Sequence, residues 1–152
     1  MSHRKTILLV EDNGDDVFFM KRAMKSAEIQ NPIQVVTDGQ EAIDYLEGNG
    51  KFSDRLEFPV PHVVLLDLKL PHREGHEVLQ WARQQPSLKT LVIIILTTSR
   101  ERSDIELAYQ FGANAYLVKP PGAPQLVEMV KALKEFWLVQ NEFAPVASVA
   151  KS

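Results

Sequence analysis

The chain has 152 residues, of which 45% are hydrophobic and 24% are charged, and its formal net charge is -3. These values predict one soluble globular domain. We expect it in the cytoplasm, since no apolar run approaches the roughly 20 residues that a membrane span needs. The lack of cysteine excludes disulfides and thiolate-metal chemistry, and the lack of a long basic block argues against nucleic acid as a direct partner.

Short apolar runs alternate with longer segments of helical spacing along the chain. Runs of this length that are rich in branched residues predict strands buried on both faces of a sheet. In chain order they are Ile7–Val10, the weaker Ile33–Val36, Val63–Leu66, Leu91–Leu96 and Tyr116–Val118. A strand followed by a helix, repeated five times, predicts an α/β fold in which helices cover both faces of a parallel sheet.

Local signals mark where these elements begin and end. Asp38, with Glu41 three residues later, predicts the N-terminal cap of the second helix. Gly112 suits a left-handed residue after the fourth helix. Residues 48–61 predict a surface excursion before the third strand. We expect one domain over residues 5–140 and a largely disordered tail over residues 141–152.

Polar residues follow the strands at the sheet edge where ligands of open parallel sheets bind. They are Glu11, Asp12 and the pair Asp15-Asp16 after the first strand, Asp67 at the end of the third, Thr97, Thr98 and Ser99 after the fourth, and Lys119 after the fifth. Carboxylates gathered at the mouth of an apolar sheet would raise one another's pKa unless a cation lies among them. Their oxygen atoms suit Mg²⁺ best.

A phosphoryl group is the ligand that this set of residues fits. Lys119 and the hydroxyl of Thr97 or Thr98 would hold phosphate oxygens while the metal neutralises charge. Asp67 would serve as the nucleophile that becomes an aspartyl-phosphate.

Four motifs in this order resemble the response-regulator receiver domains of two-component signalling. They are Leu9-Val10-Glu11-Asp12-Asn13, Leu65-Leu66-Asp67-Leu68-Lys69-Leu70-Pro71 with Gly75, Leu96-Thr97-Thr98-Ser99 and Val118-Lys119-Pro120. The resemblance covers about residues 5 to 140. It implies a doubly wound, flavodoxin-like sheet of five strands in the order 2-1-3-4-5.

The same resemblance implies a role for each residue of the site. Asp67 would be the phosphoacceptor, Lys119 the phosphate-binding lysine, Thr97 the switch hydroxyl with Thr98 as the weaker candidate, and Tyr116 the aromatic switch residue. The Mg²⁺ ligands would be Glu11, mostly through a bound water, Asp12, Asp67 and the backbone carbonyl of Lys69. Pro120 would follow a cis peptide bond.

A subgroup of the family resembles the chain more closely. The excursion, the Leu-Thr-Thr-Ser run and Phe136-Trp137-Leu138 are similar to single-domain regulators paired with phytochrome-type histidine kinases. The chain after residue 140 is too short for a DNA-binding effector domain. Glu74-Gly75 and Pro121 depart from the commoner pattern without touching the acceptor chemistry. We expect a phosphoacceptor that phosphorylates and dephosphorylates itself but has no other enzyme activity.

Two other functions compete with this interpretation. An aspartate-based phosphohydrolase would carry a second acid two residues after its nucleophile, where this chain has Lys69. A phosphate-independent interaction module on a receiver scaffold would have lost the acidic pair or the lysine, which are all present. The signalling function is therefore preferred over both.

Two further features bear on ligands and partners. His72 and His76 are four residues apart, as in helical metal sites, but without a third ligand they are expected to be solvated loop residues. The last helix carries two adjacent apolar stripes, and an outer helix needs only one. The first consists of Leu126, Val130, Leu133 and Trp137, and the second of Met129, Ala132, Phe136 and Val139. The second stripe predicts a homodimer through this helix.

Overall fold

Strands and helices alternate along the chain as predicted. A computed structural model describes residues 5–145. The strands are β1 Ile7–Val10, β2 Ile33–Val36, β3 Val63–Leu66, β4 Val92–Thr97 and β5 Ala115–Val118. The helices are α1 Gly14–Ser26, α2 Gly39–Glu47, α3 Gly75–Gln84, α4 Arg102–Gln110 and α5 Ala123–Leu133, which continues as a π-helical segment over Lys134–Gln140. The alternating α/β organisation is thereby confirmed.

All five strands lie parallel in one sheet with the order β2-β1-β3-β4-β5. This confirms the doubly wound order that the resemblance implied. The chain leaves β1 toward one side for β2 and returns to the other side for β3. A crevice therefore opens beyond the carboxyl ends of β1 and β3, and we call this edge of the sheet the carboxyl edge.

Two hydrophobic clusters form, one on each face of the sheet. On β1, Ile7 and Leu9 point into the cluster that α1 and α5 cover, whereas Leu8 and Val10 point into the cluster that α2, α3 and α4 cover. Side chains of a strand alternate between the two faces, so apolar residues at every position bury both faces. This is why the central strands consist of almost uninterrupted apolar residues.

The two edge strands are less buried than the sequence predicted. All four residues of β5 are half-buried, and in β2 only Val36 is fully buried. The expectation that every run is buried on both faces is therefore wrong for these strands. Each of these strands pairs with a neighbouring strand on one side only, so its other side is not covered by the sheet.

The predicted cap of α2 forms at Asp38, but the reciprocal hydrogen bond of Glu41 is shifted by one residue. The Asp38 side chain accepts a hydrogen bond of 2.7 Å from the backbone N–H of Glu41. The Glu41 carboxylate accepts from the N–H of Thr37, at 2.8 Å, and not from that of Asp38. At the other predicted boundary, Gly112 follows α4 with φ at 103°, which confirms the left-handed residue there.

The excursion over residues 48–61 is anchored and not only a surface segment. Phe52 is buried and packs on Tyr45, with 5.0 Å between the ring centroids. The Tyr45 hydroxyl donates to the carbonyl of Pro59 at 2.9 Å. Arg55 donates to the carbonyl of Leu46 at the end of α2. These contacts hold the excursion against α2.

The last helix packs its first apolar stripe and Met129 of the second against the sheet, and it leaves the rest of the second stripe exposed. The first stripe packs in the cluster beside α1, and its Val130 is fully buried. In the second stripe, Phe136 and Val139 are more than half exposed. Part of the predicted disordered tail, residues 146–152, lies outside the described residues, whereas the Phe143 ring packs against that of His62 at 5.5 Å. None of the helices within residues 5–145 is long and apolar enough to cross a bilayer.

Candidate functional site

Backbone pairing that continues past the strands brings the predicted site residues together. The N–H of Asp67 donates to the carbonyl of Val10, and that of Lys119 donates to the carbonyl of Thr97. Val10 of β1 lies beside Leu66 of β3 in the sheet register. Glu11 and Asp67, the residues that follow them, are therefore neighbours at the carboxyl edge. The predicted convergence of side chains at this edge is confirmed for Glu11, Asp67 and Lys119.

The Lys119 ammonium lies at the centre of the cluster. Its Nζ is 2.5 Å from Oε1 of Glu11, 2.9 Å from Oδ2 of Asp67 and 3.0 Å from Oδ2 of Asp16. The Lys119 side chain is 13% exposed, and those of Glu11 and Asp67 are 4% and 10% exposed. Hydrogen bonds between ionised partners are roughly twice as strong as neutral ones, so this cation holds the acids together.

Burial and the neighbouring charges shift the ionisation of this cluster. Burial, reinforced by the Asp67 charge, raises the pKa of Glu11 to about 7, although the hydrogen bond from Lys119 opposes the shift. Burial would lower the pKa of Lys119, but its hydrogen bonds to Glu11 and Asp67 outweigh burial and raise that pKa above its ordinary value. Lys119 therefore stays charged, and burial makes Glu11 easier to protonate than an ordinary glutamate.

Asp12 stands apart from the Lys119 cluster. It is exposed and lines an open cavity of about 360 Å³ together with Lys69, Glu74 and Asp104. Within residues 5–145, no three acidic or histidine side chains lie grouped as a metal site would need. In this arrangement the Lys119 ammonium contacts Glu11 and Asp67, two of the three acids among which the sequence predicted a cation.

A glycine allows α3 to begin against the candidate acceptor. A Cβ atom on Gly75 would lie 2.3 Å from the backbone oxygen of Asp67, which no side chain can do without displacing the backbone. The N–H of Gly75 also donates to the carbonyl of Leu68 at 2.8 Å. The amide of Lys69 points at the Asp67 carboxylate, with 3.3 Å from its nitrogen to Oδ1. The Gly75 contact explains why the motif after β3 includes this glycine.

Comparison with known proteins shows the family. A profile of the response regulator receiver domain matches residues 7–131. The chain is 35% identical to response regulator Rcp1 of Synechocystis sp. over 134 residues, which are 88% of this chain and 89% of Rcp1. This chain belongs to the response regulator receiver domains of two-component signalling.

Solved structures agree over nearly the whole receiver domain. The phosphorylated cyanobacterial phytochrome response regulator RcpA matches with a TM-score of 0.87 and 34% identity, covering 93% of this chain and 99% of RcpA. The Mn²⁺-bound form of Rcp1 has a TM-score of 0.84, 33% identity and the same coverage. RPA3017 of R. palustris, described in red light signalling, has a TM-score of 0.89, 35% identity and that coverage again. The predicted likeness to phytochrome-associated regulators is therefore confirmed.

The two candidate switch hydroxyls of the receiver domain lie in different surroundings. Thr97, the last residue of β4, is fully buried, and its Oγ1 has no hydrogen-bond partner among the described residues. Thr98 is exposed. A buried hydroxyl without a partner is costly, and such groups are frequent where a ligand later supplies the partner. The structure thus separates two threonines that the sequence left side by side.

Tyr116 links β5 to the segment between β4 and α4. Its hydroxyl donates to the backbone carbonyl of Ser99 at 3.0 Å. The Ser99 hydroxyl in turn donates to the Asp104 carboxylate in the first turn of α4, at 2.5 Å. Burial raises the pKa of Tyr116, so its hydroxyl stays protonated and can donate. The assignment of Tyr116 as a switch residue stays a prediction.

The two histidines contact different partners. His72 is exposed, with Nδ1 3.2 Å from the Asp38 carboxylate. His76 lies in the first turn of α3 and is half-buried, with Nε2 3.2 Å from the carbonyl of Asp104 and its ring packed against Phe111. The expectation of two solvated loop histidines therefore holds for His72 and is wrong for His76, which the packing of α3 against α4 partly encloses.

Two details of the site differ from the sequence predictions. The predicted cis bond before Pro120 is wrong, because no peptide bond within residues 5–145 is cis. The trans form is the intrinsically favoured isomer of such bonds, by about 0.5–1 kcal/mol. Asp16 was named only among the acids after the first strand and was given no role, yet it contacts Lys119. Asn13 accepts from the N–H of Asp16 as the cap of α1, and that capping signal could have placed Asp16 at the helix end beside Glu11.

Proposed function

We infer that this receiver domain, over residues 5–140, is a single-domain response regulator whose Asp67 accepts a phosphoryl group from a histidine kinase. The observation that carries the proposal is the Lys119 ammonium between Glu11 and Asp67 at the carboxyl edge, 2.9 Å from Asp67. A buried acid beside a fixed ammonium combines a nucleophile with a group that neutralises phosphoryl charge. The buried, unpartnered hydroxyl of Thr97 supports the proposal, since a phosphoryl oxygen would give it a partner.

The residues present fit the Mg²⁺ ion that such a transfer needs. Their donors are all oxygens, and Mg²⁺ commonly takes one or two carboxylates and keeps several waters. We propose that Asp12, Asp67 and the backbone carbonyl of Lys69 would hold the ion, with Glu11 acting mostly through a bound water. When bound, Mg²⁺ supplies positive charge next to the phosphoryl oxygens. The related Rcp1 has a Mn²⁺-bound form, which supports a divalent ion in this chain.

In the proposed reaction, a carboxylate oxygen of Asp67 attacks the phosphorus of a phosphohistidine. The new P–O bond forms as the P–N bond breaks, and the imidazole leaves with the electron pair. Lys119 donates hydrogen bonds to phosphoryl oxygens without giving up its proton, and Glu11 keeps the ammonium in place. Water later hydrolyses the aspartyl-phosphate, so the domain catalyses only its own phosphorylation and dephosphorylation.

The proposed switch runs from Thr97 to α4. A phosphoryl oxygen would draw the Thr97 hydroxyl toward Asp67, and Tyr116 would turn inward as the threonine moves. The hydrogen bond from Tyr116 to Ser99 and the contact of Ser99 with Asp104 connect that motion to the first turn of α4. The phosphoryl group would then shift the population between two arrangements of this segment.

We propose a phytochrome-type histidine kinase as the phosphodonor, acting in the cytoplasm. The likeness to RcpA, named as a phytochrome response regulator, supports that choice. Phe18 and Phe19 of α1 are exposed, at 57% and 47%, beside the carboxyl edge. An exposed aromatic pair suits a protein partner better than a small phosphodonor alone. The net charge of -3 does not favour direct binding to nucleic acid.

Incubation with acetyl phosphate and Mg²⁺ tests the acceptor. Mass spectrometry of the intact protein should show one added phosphoryl group, and Asp67→Asn should abolish it. Asp54→Asn, at an exposed acid of the excursion, is the matched control and should accept the group normally. Persistence of the added mass in Asp67→Asn would contradict Asp67 as acceptor. Absence of added mass in the unaltered chain, also with a phosphorylated kinase, would favour a phosphate-independent module.

We also propose a homodimer through the last helix. Phe136 and Val139 are 54% and 55% exposed on the side of this helix that turns away from the sheet, and apolar side chains exposed together mark interaction surfaces. Sedimentation of the unaltered protein and of Phe136→Ser with Val139→Ser, with and without a phosphoryl mimic, tests this surface. The double variant should sediment as a monomer. Only monomer for the unaltered chain at tens of micromolar would contradict the dimer.

A further inference from the structure

We propose that Asp16 is a positioning residue for Lys119, which holds the ammonium in the orientation that phosphoryl transfer to Asp67 needs. The inference rests on the proposed function and adds a residue to its site. Asp16 Oδ2 lies 3.0 Å from Nζ of Lys119, although the two residues belong to α1 and to the loop after β5.

The three contacts of Lys119 match the donors of an ammonium group. A lysine has three N–H donors and no acceptor. Its Nζ lies within hydrogen-bond distance of Glu11, Asp67 and Asp16. Three acceptors held by three different segments fix the direction of each N–H. With Asp16 removed, Glu11 would be the only one of these contacts left when the N–H aimed at Asp67 turns to a phosphoryl oxygen.

The space beside Lys119 makes this restraint necessary. A cavity of about 290 Å³ lies between α1 and the start of α5, lined by Asp16, Phe19, Lys119 and Pro121 among others. A flexible lysine stem next to such a cavity has room for other rotamers. Asp16 also lines the cavity, so its contact opposes displacement of Lys119 into that space.

The helix end that carries Asp16 is itself fixed. Asn13 caps α1 by accepting from the N–H of Asp16 at 3.0 Å, and the carboxylate of Glu11 accepts from the N–H of Asn13 at 3.2 Å. Asp16 therefore belongs to the same short network as Glu11 and does not reach Lys119 from a mobile loop. The Asp16 side chain is 42% exposed, so its contribution is to orientation more than to the total binding of the cation.

Phosphorylation changes only one of the three contacts. With acetyl phosphate, an Asp67 oxygen bonds to phosphorus, the P–O bond to acetate breaks and acetate leaves with the electron pair. One N–H of Lys119 turns from Asp67 to a phosphoryl oxygen, while those to Glu11 and Asp16 stay. Two retained anchors keep the third donor aimed at the site of charge development, where a fixed donor is most effective.

The test compares Asp16→Ala, Asp16→Asn and the neighbouring Asp15→Ala at saturating Mg²⁺ with acetyl phosphate. Asp15 is an exposed residue in the same first turn of α1, so Asp15→Ala removes the same charge from the same helix end. Asp16→Ala should lower the phosphorylation rate constant by about three- to tenfold, the range expected for one partly exposed charged contact. Asp15→Ala should stay within twofold of the unaltered chain. Asp16→Asn should restore most of the rate, since its amide oxygen still accepts a hydrogen bond.

A second measurement separates this inference from the proposed function. In ¹⁵N spectra of lysine ammonium groups without phosphodonor, Asp16→Ala should speed proton exchange at Lys119, whereas Asp15→Ala should not. Equal phosphorylation rates and equal exchange for Asp16→Ala and Asp15→Ala would overturn the positioning role. If the unaltered chain takes no phosphoryl group, the proposed function fails, and a faster exchange in Asp16→Ala alone would still establish the contact.

Discussion

Lys119 and Arg83 are half-buried cations at opposite ends of the sheet, and their partners differ in kind. Lys119 contacts the carboxylates of Glu11, Asp67 and Asp16. Arg83, near the end of α3, donates to backbone carbonyls of Gly112, Leu88, Lys89 and Leu91 and to the side-chain oxygen of Asn114. Burial lowers the pKa of Arg83, whereas the acids raise that of Lys119.

The difference separates a structural cation from one that can exchange partners. Carbonyls in loops are fixed by the backbone, so Arg83 ties the end of α3 to the segments before β4 and β5 in a single arrangement. Carboxylates bind metal ions, protons and phosphoryl groups as alternatives to an ammonium. Lys119 can therefore give up its contact with one carboxylate when that carboxylate binds a ligand. The carbonyl partners of Arg83 bind no such alternative ligand, so its contacts stay unchanged.

Replacement of Lys119 should have the largest effect on activity. Lys119→Met is expected to slow phosphorylation by acetyl phosphate about a hundredfold or more, the usual loss when one donor to a developing anion is removed. It also leaves Glu11 and Asp67 without a cation, so Mg²⁺ should stabilise this variant more than it stabilises the unaltered chain. Rates from quenched samples and melting curves with and without Mg²⁺ measure both effects. Lys131→Met, at an exposed lysine, should change neither, and an unimpaired rate in Lys119→Met would contradict the role of the ammonium.

Replacement of Arg83 should reverse that pattern. Arg83→Met leaves several carbonyls without their donor and is expected to lower the free energy of unfolding by roughly 2–4 kcal/mol. The folded variant should still take a phosphoryl group at close to the normal rate, because the carboxyl edge is untouched. Urea unfolding followed by Trp81 and Trp137 fluorescence gives the first quantity. Exposed Arg100→Met is the control, and a stable but inactive Arg83→Met would break the distinction between the two cations.

The pH dependence of metal binding should report on Glu11. Burial raises the pKa of this acid to about 7, and a metal ion competes with the proton for the carboxylate. Affinity for Mg²⁺ should therefore be nearly constant above pH 7. It should fall by up to about tenfold per pH unit below pH 7, whereas an ordinary glutamate would lose affinity only near its usual pKa of 4.5.

Calorimetric titration between pH 6 and pH 8 measures this dependence. Glu11→Gln, which cannot ionise, should bind Mg²⁺ more weakly with a much flatter profile over that range. An equally steep profile in Glu11→Gln would assign the titration to another group.

Replacement of Thr97 should have the smallest effect on stability. Thr97→Val removes a buried hydroxyl that has no partner among the described residues and should raise the free energy of unfolding by about 1 kcal/mol. The variant should still be phosphorylated on Asp67, but the amide shifts of Tyr116 and α4 on phosphorylation should be lost. Thr98→Val, at an exposed position, is the control and should change stability by less than about 0.5 kcal/mol. A destabilised Thr97→Val would mean that its hydroxyl already has a partner.

Much of the fold could be predicted because its signals are local or nearly so. The apolar runs of β1, β3 and β4 are unbroken, since strands covered on both faces bury every residue. Asp38 marked the start of α2, where its carboxylate accepts a hydrogen bond from the backbone N–H of Glu41. The half-burial of β5 was missed because its apolar run alone predicted burial on both faces, although the order that the resemblance implied already made β5 an edge strand. No property of Ala115–Val118 alone distinguishes it from a central strand.

The order of residues along the chain is enough to place the chemical groups of the site at strand ends. Asp67, Glu11 and Lys119 each follow an apolar run, and parallel strands bring such ends to one edge. The pairing of these groups, in contrast, follows from the three-dimensional fold. That fold placed Asp16 on Lys119, buried Thr97 while exposing Thr98, and enclosed His76 between α3 and α4. Pairing depends on distances of a few ångströms between segments far apart in the chain, and a local pattern does not encode such distances.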